Sequence, residues 1–217
     1  MSDPITQAVE RLNSQLPLKE RQDHLSEPLR ALHREVIRSL VVRGRPPTRS
    51  ESALVAGADD LDAAISRLGQ DDLVVLSQDR KEIVGAYPVT AESTPHELHV
   101  SGHTIHAMCA LDALSVGPMY GVSVEICSRC RVSGEPVCIH QDGNRILEAT
   151  PPTVRVGVRW QMPSGDHAAH SMCLEMVFLK DDATAKNWHG GDLDNHSVFT
   201  LEEATEFGAR FFRPLLA

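Results

Sequence analysis

The chain has 217 residues, 41% of them hydrophobic, which is enough to bury a core in one large domain or two small ones. A formal net charge of −9 and an aromatic content of 4% argue against nucleic-acid binding through a basic surface or base stacking. No apolar run approaches the roughly 20 residues of a membrane span, and the first residues lack the pattern of a secretory signal. We therefore expect a cytoplasmic protein with no membrane or nucleic-acid partner, whose five cysteines are reduced thiols.

The N-terminal region has a helical pattern. Residues 1–26 are polar and weakly patterned, and they predict a loose arm or a short helix. Apolar residues recur at three- and four-residue spacing over residues 29–41 and predict a longer helix. Thr48 and Glu51 predict a capping box that opens a second helix, and Asp59 or Asp60 is expected to cap a third that ends at Gly69.

A β-hairpin is predicted next, because residues 73–76 and 83–87 are apolar and flank a polar turn. Three helices and a hairpin are typical of a winged-helix-like module, which either reads DNA or has a structural role. The third helix begins Ala58-Asp59-Asp60-Leu61-Asp62, whose carboxylates would repel DNA phosphates, so the structural role is favoured. Several arginines on the first helix and its exit are expected to form a solvated face: Arg34, Arg38, Arg43, Arg45 and Arg49.

A second region follows a predicted linker at residues 88–95. Residues 97–100 and 103–106 predict a short hairpin, which leads to a helix over residues 107–116 that Gly117-Pro118 ends. Alternating apolar residues predict strands at residues 120–126, 137–140, 153–160 and 172–178, and a capping box at Thr200 and Glu203 opens the last helix. The sequence thus predicts an α+β fold, with an N-terminal winged-helix-like domain over residues 1–88. A mixed or antiparallel β-sheet domain with flanking helices is predicted over residues 89–217.

The segment Cys109-Ala110-Leu111-Asp112 carries the strongest chemical signal. Residues three apart on a helix lie on one face, so Cys109 and Asp112 are expected in one turn at the helix N-terminus, where the dipole favours a thiolate. A second thiol, Cys173, is predicted on a later strand beside Glu175, a weak candidate for a proton shuttle. Two thiols and a carboxyl suit chemistry on a thiophilic metal, although buried apolar thiols would account for the same spacing.

Two further groups could bind metal. Cys127 and Cys130 have a metal-ligand spacing, with Cys138 nearby; structural thiols are favoured, and a metal site or a redox pair are the alternatives. Four histidines at spacings of 3, 4 and 3 would form a stripe on one helix, but the Ser101-Gly102 turn interrupts them. We expect these residues to form a solvated, mostly neutral hairpin: His96, His99, His103 and His106.

The Cys-Ala-Leu-Asp motif, followed by Ser171-Met172-Cys173, resembles the active site of the organomercurial (alkylmercury) lyase family. The resemblance runs from Glu97 to the C-terminal helix and includes the turn at residues 128–134 and the segment at residues 187–188. It implies an N-terminal winged-helix-like module that does not read DNA. It also implies that the catalytic residues are Cys109, Asp112 and Cys173, and that Cys130 corresponds to a non-catalytic cysteine that supports folding.

The resemblance further implies protonolysis of a carbon–mercury bond in mercury detoxification. Cys109 would capture R–Hg⁺, Cys173 would bind as a second thiolate, and Asp112 would move a thiol proton to the carbon. The hydrocarbon would leave, and Hg²⁺ would stay bound to the same three residues. No cofactor is implied. The expected partners are organomercurial small molecules, low-molecular-weight thiols that release the product, and a mercuric reductase that accepts Hg²⁺.

One departure from the family concerns the residue before each catalytic cysteine. Met108 and Met172 stand where family members carry an aromatic residue, so the shape of the pocket and the substrate range are expected to differ. The alternative function is a non-catalytic protein of the lyase fold that binds or senses a soft metal. A sensor would dimerise and bind DNA, whereas the acidic start of the third helix predicts no DNA binding.

Overall fold

Helices make up the N-terminal part of the structure, a computed structural model that describes residues 3–57, 60–164 and 167–217. The first five are α1 (Pro4–Gln15), α2 (Leu18–Asp23), α3 (Glu27–Arg43), α4 (Arg49–Ala56) and α5 (Leu61–Gln70). The arm or short helix predicted for residues 1–26 is therefore two helices. An apolar stripe on α1, formed by Ile5, Ala8 and Leu12, is buried and holds this helix against the core.

Capping residues set the start of α4 and α5. Thr48 and Glu51 form the predicted capping box at the start of α4. The side chain of Asp60 caps α5, which is one of the two predicted alternatives. The other candidate, Asp59, and the preceding Ala58 lie outside the described residues. The second and third helices of the N-terminal region are thus confirmed where the structure describes them.

The described residues form eleven strands in two sheets. The strands are β1 (Val75–Leu76), β2 (Ile83–Ala86), β3 (Val89–Thr90), β4 (His96–Val100), β5 (His103–Ala107), β6 (Ser123–Arg129), β7 (Pro136–Asp142), β8 (Arg145–Thr150), β9 (Arg155–Arg159), β10 (Met176–Leu179) and β11 (His196–Phe199). The larger sheet has the order β1-β2-β3-β5-β4-β6-β7-β8, and the smaller has the order β10-β9-β11. Every pairing is antiparallel, which is one of the two predicted arrangements.

Both predicted hairpins are present, as β1-β2 and β4-β5. The turn of the second has positive φ at Ser101 (53°) and at Gly102 (78°), as a two-residue hairpin requires. The predictions omitted β8, because this outermost strand buries none of its residues and lacks a clear alternation. They also omitted β3, which lies inside the predicted linker and pairs with β2 and β5. The large sheet therefore runs without interruption from the N-terminal hairpin to β8.

Three helices follow or separate the later strands: α6 (Ala110–Tyr120), α7 (Asp182–His189) and α8 (Leu201–Phe212). The helix predicted to end at Gly117-Pro118 instead contains Pro118 and continues to Tyr120, so the strand predicted from residue 120 begins at Ser123. Proline has no N–H and leaves the carbonyl of Leu114 without its helical donor. Gln141 on β7 supplies that donor, because its Nε2 lies 2.9 Å from the Leu114 oxygen. A side chain distant in the sequence thus stabilises the extra turn.

The last helix, α8, packs directly on α6, which is buried from Ala110 to Met119. The predicted capping box of Thr200 and Glu203 opens α8. Its glycine, Gly208, faces Ser115, and a Cβ at this position would lie only 2.9 Å from the Ser115 Cβ. No described helix is long and apolar enough to cross a membrane. The close contact between α6 and α8 fixes the helix that carries the candidate site.

Replacing Gly208 with alanine should destabilise the fold. The added methyl meets Ser115 Cβ at 2.9 Å and the Leu111 carbonyl oxygen at 3.2 Å, so α6 and α8 must separate. Overpacking of this kind costs about 1–3 kcal/mol. Urea denaturation should show a lower midpoint for Gly208→Ala, whereas Glu202→Ala on the exposed face of α8 should shift it much less. An unchanged midpoint for Gly208→Ala would contradict this packing.

Candidate active site

Cys109 is the N-cap residue of α6. The sequence predicted it in the first turn of the helix, which begins one residue later, at Ala110. Its backbone is extended (φ −154°, ψ 177°), because β5 ends only two residues earlier. The Sγ of Cys109 accepts a hydrogen bond from the N–H of Asp112 at 3.4 Å. The N–H groups and the dipole of the first helical turn favour negative charge on this sulfur.

Cys173 lies in a short 3₁₀ helix, Met172–Glu175, and not on the predicted strand, which begins at Met176. The alternation that predicted the strand fails here. Met172 and Cys173 are both buried (1% and 3% exposed), whereas Leu174 is 54% exposed. The turn of 3₁₀ helix directs two consecutive side chains inward, which an extended strand cannot do.

The fold brings the three predicted site residues together. The Sγ atoms of Cys109 and Cys173 and a carboxylate oxygen of Asp112 lie within 4.8 Å of one another. Within the described ranges, no other three cysteine, histidine or acidic residues come this close. All three side chains are buried, and Met176 adds a soft neighbour, with its Sδ 3.8 Å from the Cys109 Sγ. Two thiols and a carboxyl in a water-poor site can hold a soft metal ion.

The carboxyl group of Asp112 is the unusual member of the cluster. Burial raises its pKa to about 8, and the hydrogen bonds with Cys109 lower it only partly. Its Oδ2 atom is buried and has no hydrogen-bond partner. Asp112 therefore carries a proton at neutral pH and is able to release it to an adjacent group.

The two thiols are also protonated. Burial raises the pKa of Cys109 well above its ordinary value, and the hydrogen bond with Cys173 raises it further. That hydrogen bond lowers the pKa of Cys173, but burial and the charges of Asp112 and Asp72 outweigh it, so the net direction is upward. The cluster is thus neutral at neutral pH. A metal ion that displaces the thiol protons would supply the charge that stabilises the thiolates.

A buried hydrogen-bond network holds the segment before Cys173. Tyr87 donates to Asp72 Oδ1 at 2.9 Å and accepts from the N–H of Ala169 at 2.9 Å. The carboxylate of Asp72 also contacts His167 Nδ1 at 3.0 Å. No pattern in the sequence indicates this network, because its members are distant in the chain and form no motif. Only the approach of the N-terminal hairpin to the 3₁₀ segment brings them together.

A cavity of about 250 Å³ lies next to residues that flank the site cysteines, although its lining includes none of the three site residues. Met108 and Leu174 line it, and each is the chain neighbour of a site cysteine. Met172, the other predicted pocket methionine, is buried and does not line this cavity. A larger cleft of about 720 Å³ runs along α8, but neither the three site residues nor their chain neighbours line it. The smaller cavity is therefore the candidate route for a substrate.

The remaining predicted candidates lie elsewhere. Glu175, the weak proton-shuttle candidate, is paired with Arg159 at 3.0 Å. Cys130 is buried, and its Sγ accepts a hydrogen bond from the N–H of Lys180 at 3.3 Å, as a structural thiol would. Cys127 and Cys138 face each other across β6 and β7 on the opposite, exposed side of the sheet.

The four histidines lie on β4 and β5, as the predicted hairpin requires, but not all are solvated. His96 is largely buried and hydrogen-bonds Ser128 at 2.9 Å, and burial lowers its pKa to about 4.

Four of the five arginines of the predicted solvated face make ion pairs with acidic side chains: Arg34, Arg43, Arg45 and Arg49.

Residues 89–213 match the family model of the alkylmercury lyases, MerB, which covers more than half of the chain and includes all three site residues. The chain belongs to the alkylmercury lyase family. The family predicted from the Cys-Ala-Leu-Asp motif is thus confirmed.

Individual relatives agree with the family model. The chain is 31% identical over 125 residues to an alkylmercury lyase of Bacillus cereus, a match covering 55% of this chain and 54% of the relative. It is 26% identical over 160 residues to an alkylmercury lyase of Pseudomonas putida, covering 70% of each. The match to the Bacillus protein therefore spans about half of that relative's length.

A solved structure has the same fold. The mercury-bound form of MerB2 superposes with a TM-score of 0.76, covering 92% of this chain and 98% of that one at 22% identity. The α+β class predicted from the sequence, with helices and an antiparallel sheet, is confirmed by this likeness and by the strand pairings.

Replacing the titratable carboxyl of Asp112 with an amide should change how stability depends on pH. The unfolded carboxyl loses its proton near its ordinary pKa of 3.8, whereas the folded group keeps it up to about 8. The folded chain binds the extra proton between these values, so this group makes the free energy of unfolding fall as pH rises. Urea denaturation at pH 5 and pH 8 should show a smaller fall for Asp112→Asn than for the native chain. Equal falls would contradict a raised pKa.

Replacing Tyr87 with phenylalanine should loosen the segment that carries Cys173. The change leaves the buried N–H of Ala169 without an acceptor, at a cost of about 1–3 kcal/mol. The Cys173 thiol should then react faster with a thiol reagent under native conditions. The control is Tyr120→Phe, which removes a hydroxyl bonded to the Ile37 carbonyl at the opposite end of α6 from Cys109. Equal Cys173 reactivity in the two variants would argue against the network.

Proposed function

We propose that this protein is an organomercurial lyase that cleaves the carbon–mercury bond by protonolysis. The observation that carries the proposal is the buried cluster of Cys109, Cys173 and Asp112, with ligand atoms within 4.8 Å of one another and a carboxyl that holds a proton. Membership of the alkylmercury lyase family supports the same reaction. Because the match spans only about half of the Bacillus relative, the activity of the whole chain is part of the proposal.

In the first step an organomercurial R–Hg–X enters beside Met108 and Leu174. The Sγ of Cys109 binds mercury as a thiolate, its proton leaves with X, and the helix N-terminus stabilises the sulfur. Cys173 then binds as a second thiolate. Two soft sulfur ligands increase the electron density on mercury, so the bound carbon becomes more basic.

Asp112 moves the remaining proton. Asp112 delivers the proton that it already holds, and the Cys173 thiol reprotonates it as Cys173 binds mercury. The proton reaches the carbon, the carbon–mercury bond breaks, and the hydrocarbon R–H leaves. Hg²⁺ stays on the two thiolates with Asp112 as a third ligand. A pKa near 8 suits a group that must both hold and release a proton at neutral pH.

Further features belong to the same proposal. The reaction requires no resident cofactor, because the metal of the substrate provides the polarisation. Low-molecular-weight thiols release Hg²⁺, a mercuric reductase accepts it, and the protein acts in the cytoplasm.

The segment α3–α5 with the β1-β2 hairpin, within residues 1–88, is a winged-helix-like domain with a structural role. Its support is the order of the elements and the ion pairs that occupy arginines such as Arg43 and Arg49. Residues 89–217 then form the catalytic domain.

Headspace detection of benzene or methane from phenyl- or methylmercury, with excess thiol, tests this function. The native protein should release hydrocarbon over many turnovers, and Cys109→Ser or Cys173→Ser should abolish release. Asp112→Asn should retain mercury but release hydrocarbon at least about 100-fold more slowly, since a general acid contributes about 10²–10⁴-fold.

The matched control is Cys127→Ser, which removes a thiol on the exposed face of the sheet and should leave turnover unchanged. Full activity in Asp112→Asn would remove the aspartate from the mechanism. Tight mercury retention without any hydrocarbon from the native protein would replace the lyase with a sequestering or sensing homologue.

A further inference from the structure

A second pair of thiols lies on the exposed face of the large sheet. Cys127 on β6 and Cys138 on β7 are directly opposite each other in the antiparallel register. Side chains in such positions share one face, with Cβ atoms about 4.5–5.5 Å apart. Cys127 is half-buried, Cys138 is exposed, and both are free thiols. The sheet therefore holds two sulfur atoms side by side without any rearrangement of the backbone.

The two thiols also influence each other. The pKa of Cys127 is raised, first by burial and then by the neighbouring Cys138 sulfur and the charge of Glu125. The two cysteines lie on β6 and β7, the sixth and seventh strands of the eight-stranded sheet, and each of these strands is paired on both edges. Their separation is consequently fixed by backbone hydrogen bonds, and loop motion does not alter it.

The pair is separate from the buried cluster. On β6 and β7 the residues that alternate with the two thiols, such as Ile126 and Ile139, are buried, and these strands pack against α6. Cys109 begins α6, so the sheet lies between the two pairs of thiols. An ion bound at the exposed pair would contact solvent and small thiols directly.

The surroundings favour a cation. The strand register places Glu97 beside Cys127, and Glu125 beside His140 in the next row of the same face. A shallow cavity of about 290 Å³ is lined by Cys138 together with acidic and imidazole side chains: Glu125, His140 and Glu148. These carboxylates disfavour anionic ligands and attract positive charge.

The number of ligands selects the kind of ion. Within the ranges that the structure describes, no cysteine, histidine or acidic side chain completes a set of three closely spaced ligands around Cys127 and Cys138. Structural zinc sites use four ligands, so this pair is unsuited to zinc. Hg²⁺ is soft and binds two thiolates in a linear arrangement, so the cross-strand pair is sufficient for it.

We propose that Cys127 and Cys138 form a second, solvent-accessible site that binds Hg²⁺ through two thiolates. The ion arrives as a complex with two small thiols, Hg(SR)₂. Each protein sulfur replaces one small thiolate at mercury, and each thiol proton passes to the thiolate that leaves, giving two RSH. Once one protein sulfur has bound mercury, the sheet holds the second sulfur close to the ion. Its effective concentration there exceeds that of a free small thiol, so the exchange favours the protein. The choice of mercury rests on the proposed lyase function, whereas the two-thiolate geometry does not.

Mercury stoichiometry after exchange tests the site. Each protein is incubated with HgCl₂ in excess glutathione under reducing conditions, desalted, and measured for mercury per chain. The native chain should retain two ions. The variant Cys127→Ser/Cys138→Ser should retain one, and so should Cys109→Ser/Cys173→Ser, while the variant with all four changes should retain none. Zn²⁺ under the same conditions should not remain at the exposed pair.

A matched control on the neighbouring strand is Thr150→Ser, which lies opposite Cys138 and should keep both ions. Retention of one ion by the native chain, or of two by Cys127→Ser/Cys138→Ser, would overturn the proposal. Hydrocarbon release measured in parallel separates the two hypotheses. Turnover by a native chain that retains a single ion would support the lyase function and contradict the second site. No turnover by the native chain, with one ion retained by Cys109→Ser/Cys173→Ser, would contradict the lyase function and support the second site.

Discussion

The removal of Asp112 from water is the constraint on which the candidate site depends. A carboxyl with an unpaired buried oxygen is costly to the fold, and the charged form would be much costlier. The chain meets this cost by keeping the proton on the carboxyl, as the pKa near 8 indicates. The same burial keeps Cys109 and Cys173 as thiols. One physical cause thus provides both a proton donor and two latent soft ligands.

Holding these groups together requires rigid surroundings on every side. The helix α6 is buried along almost its whole length between the large sheet and α8. The Gln141 side chain satisfies the carbonyl that Pro118 leaves without a donor, and the Gly208 position lets α8 approach closely. The opposite wall of the site is held by Asp72 and Tyr87. Cys109 is therefore positioned by a helix start, whereas Cys173 is positioned by a hydrogen-bond network that reaches it from another part of the chain.

Local signals in the sequence were sufficient for much of this structure. The spacing of Cys109 and Asp112 places both in one helical turn wherever the helix begins, and capping residues such as Thr48 and Thr200 mark helix starts through contacts three residues away. Non-local contacts decided the rest. The extension of α6 past Pro118 depends on a side chain from β7, and the segment that leads into the 3₁₀ turn at Cys173 is bonded to Asp72, about a hundred residues earlier. Periodicity within a window cannot detect either contact.

The continuity of the large sheet ties the N-terminal helices to the chemistry. Val89 on β3 pairs with Ala107 on β5, two residues before Cys109, and β1 and β2 cover the outer edge of β3. A chain that began at residue 89 would keep the whole matched family region and still lose Asp72, Tyr87 and the strands that shield this edge. Its exposed backbone N–H and C=O groups would offer a template for pairing with other chains. The first 88 residues thus shield the edge of the sheet that leads to the candidate site, although none of those that the structure describes contributes a ligand to the cluster.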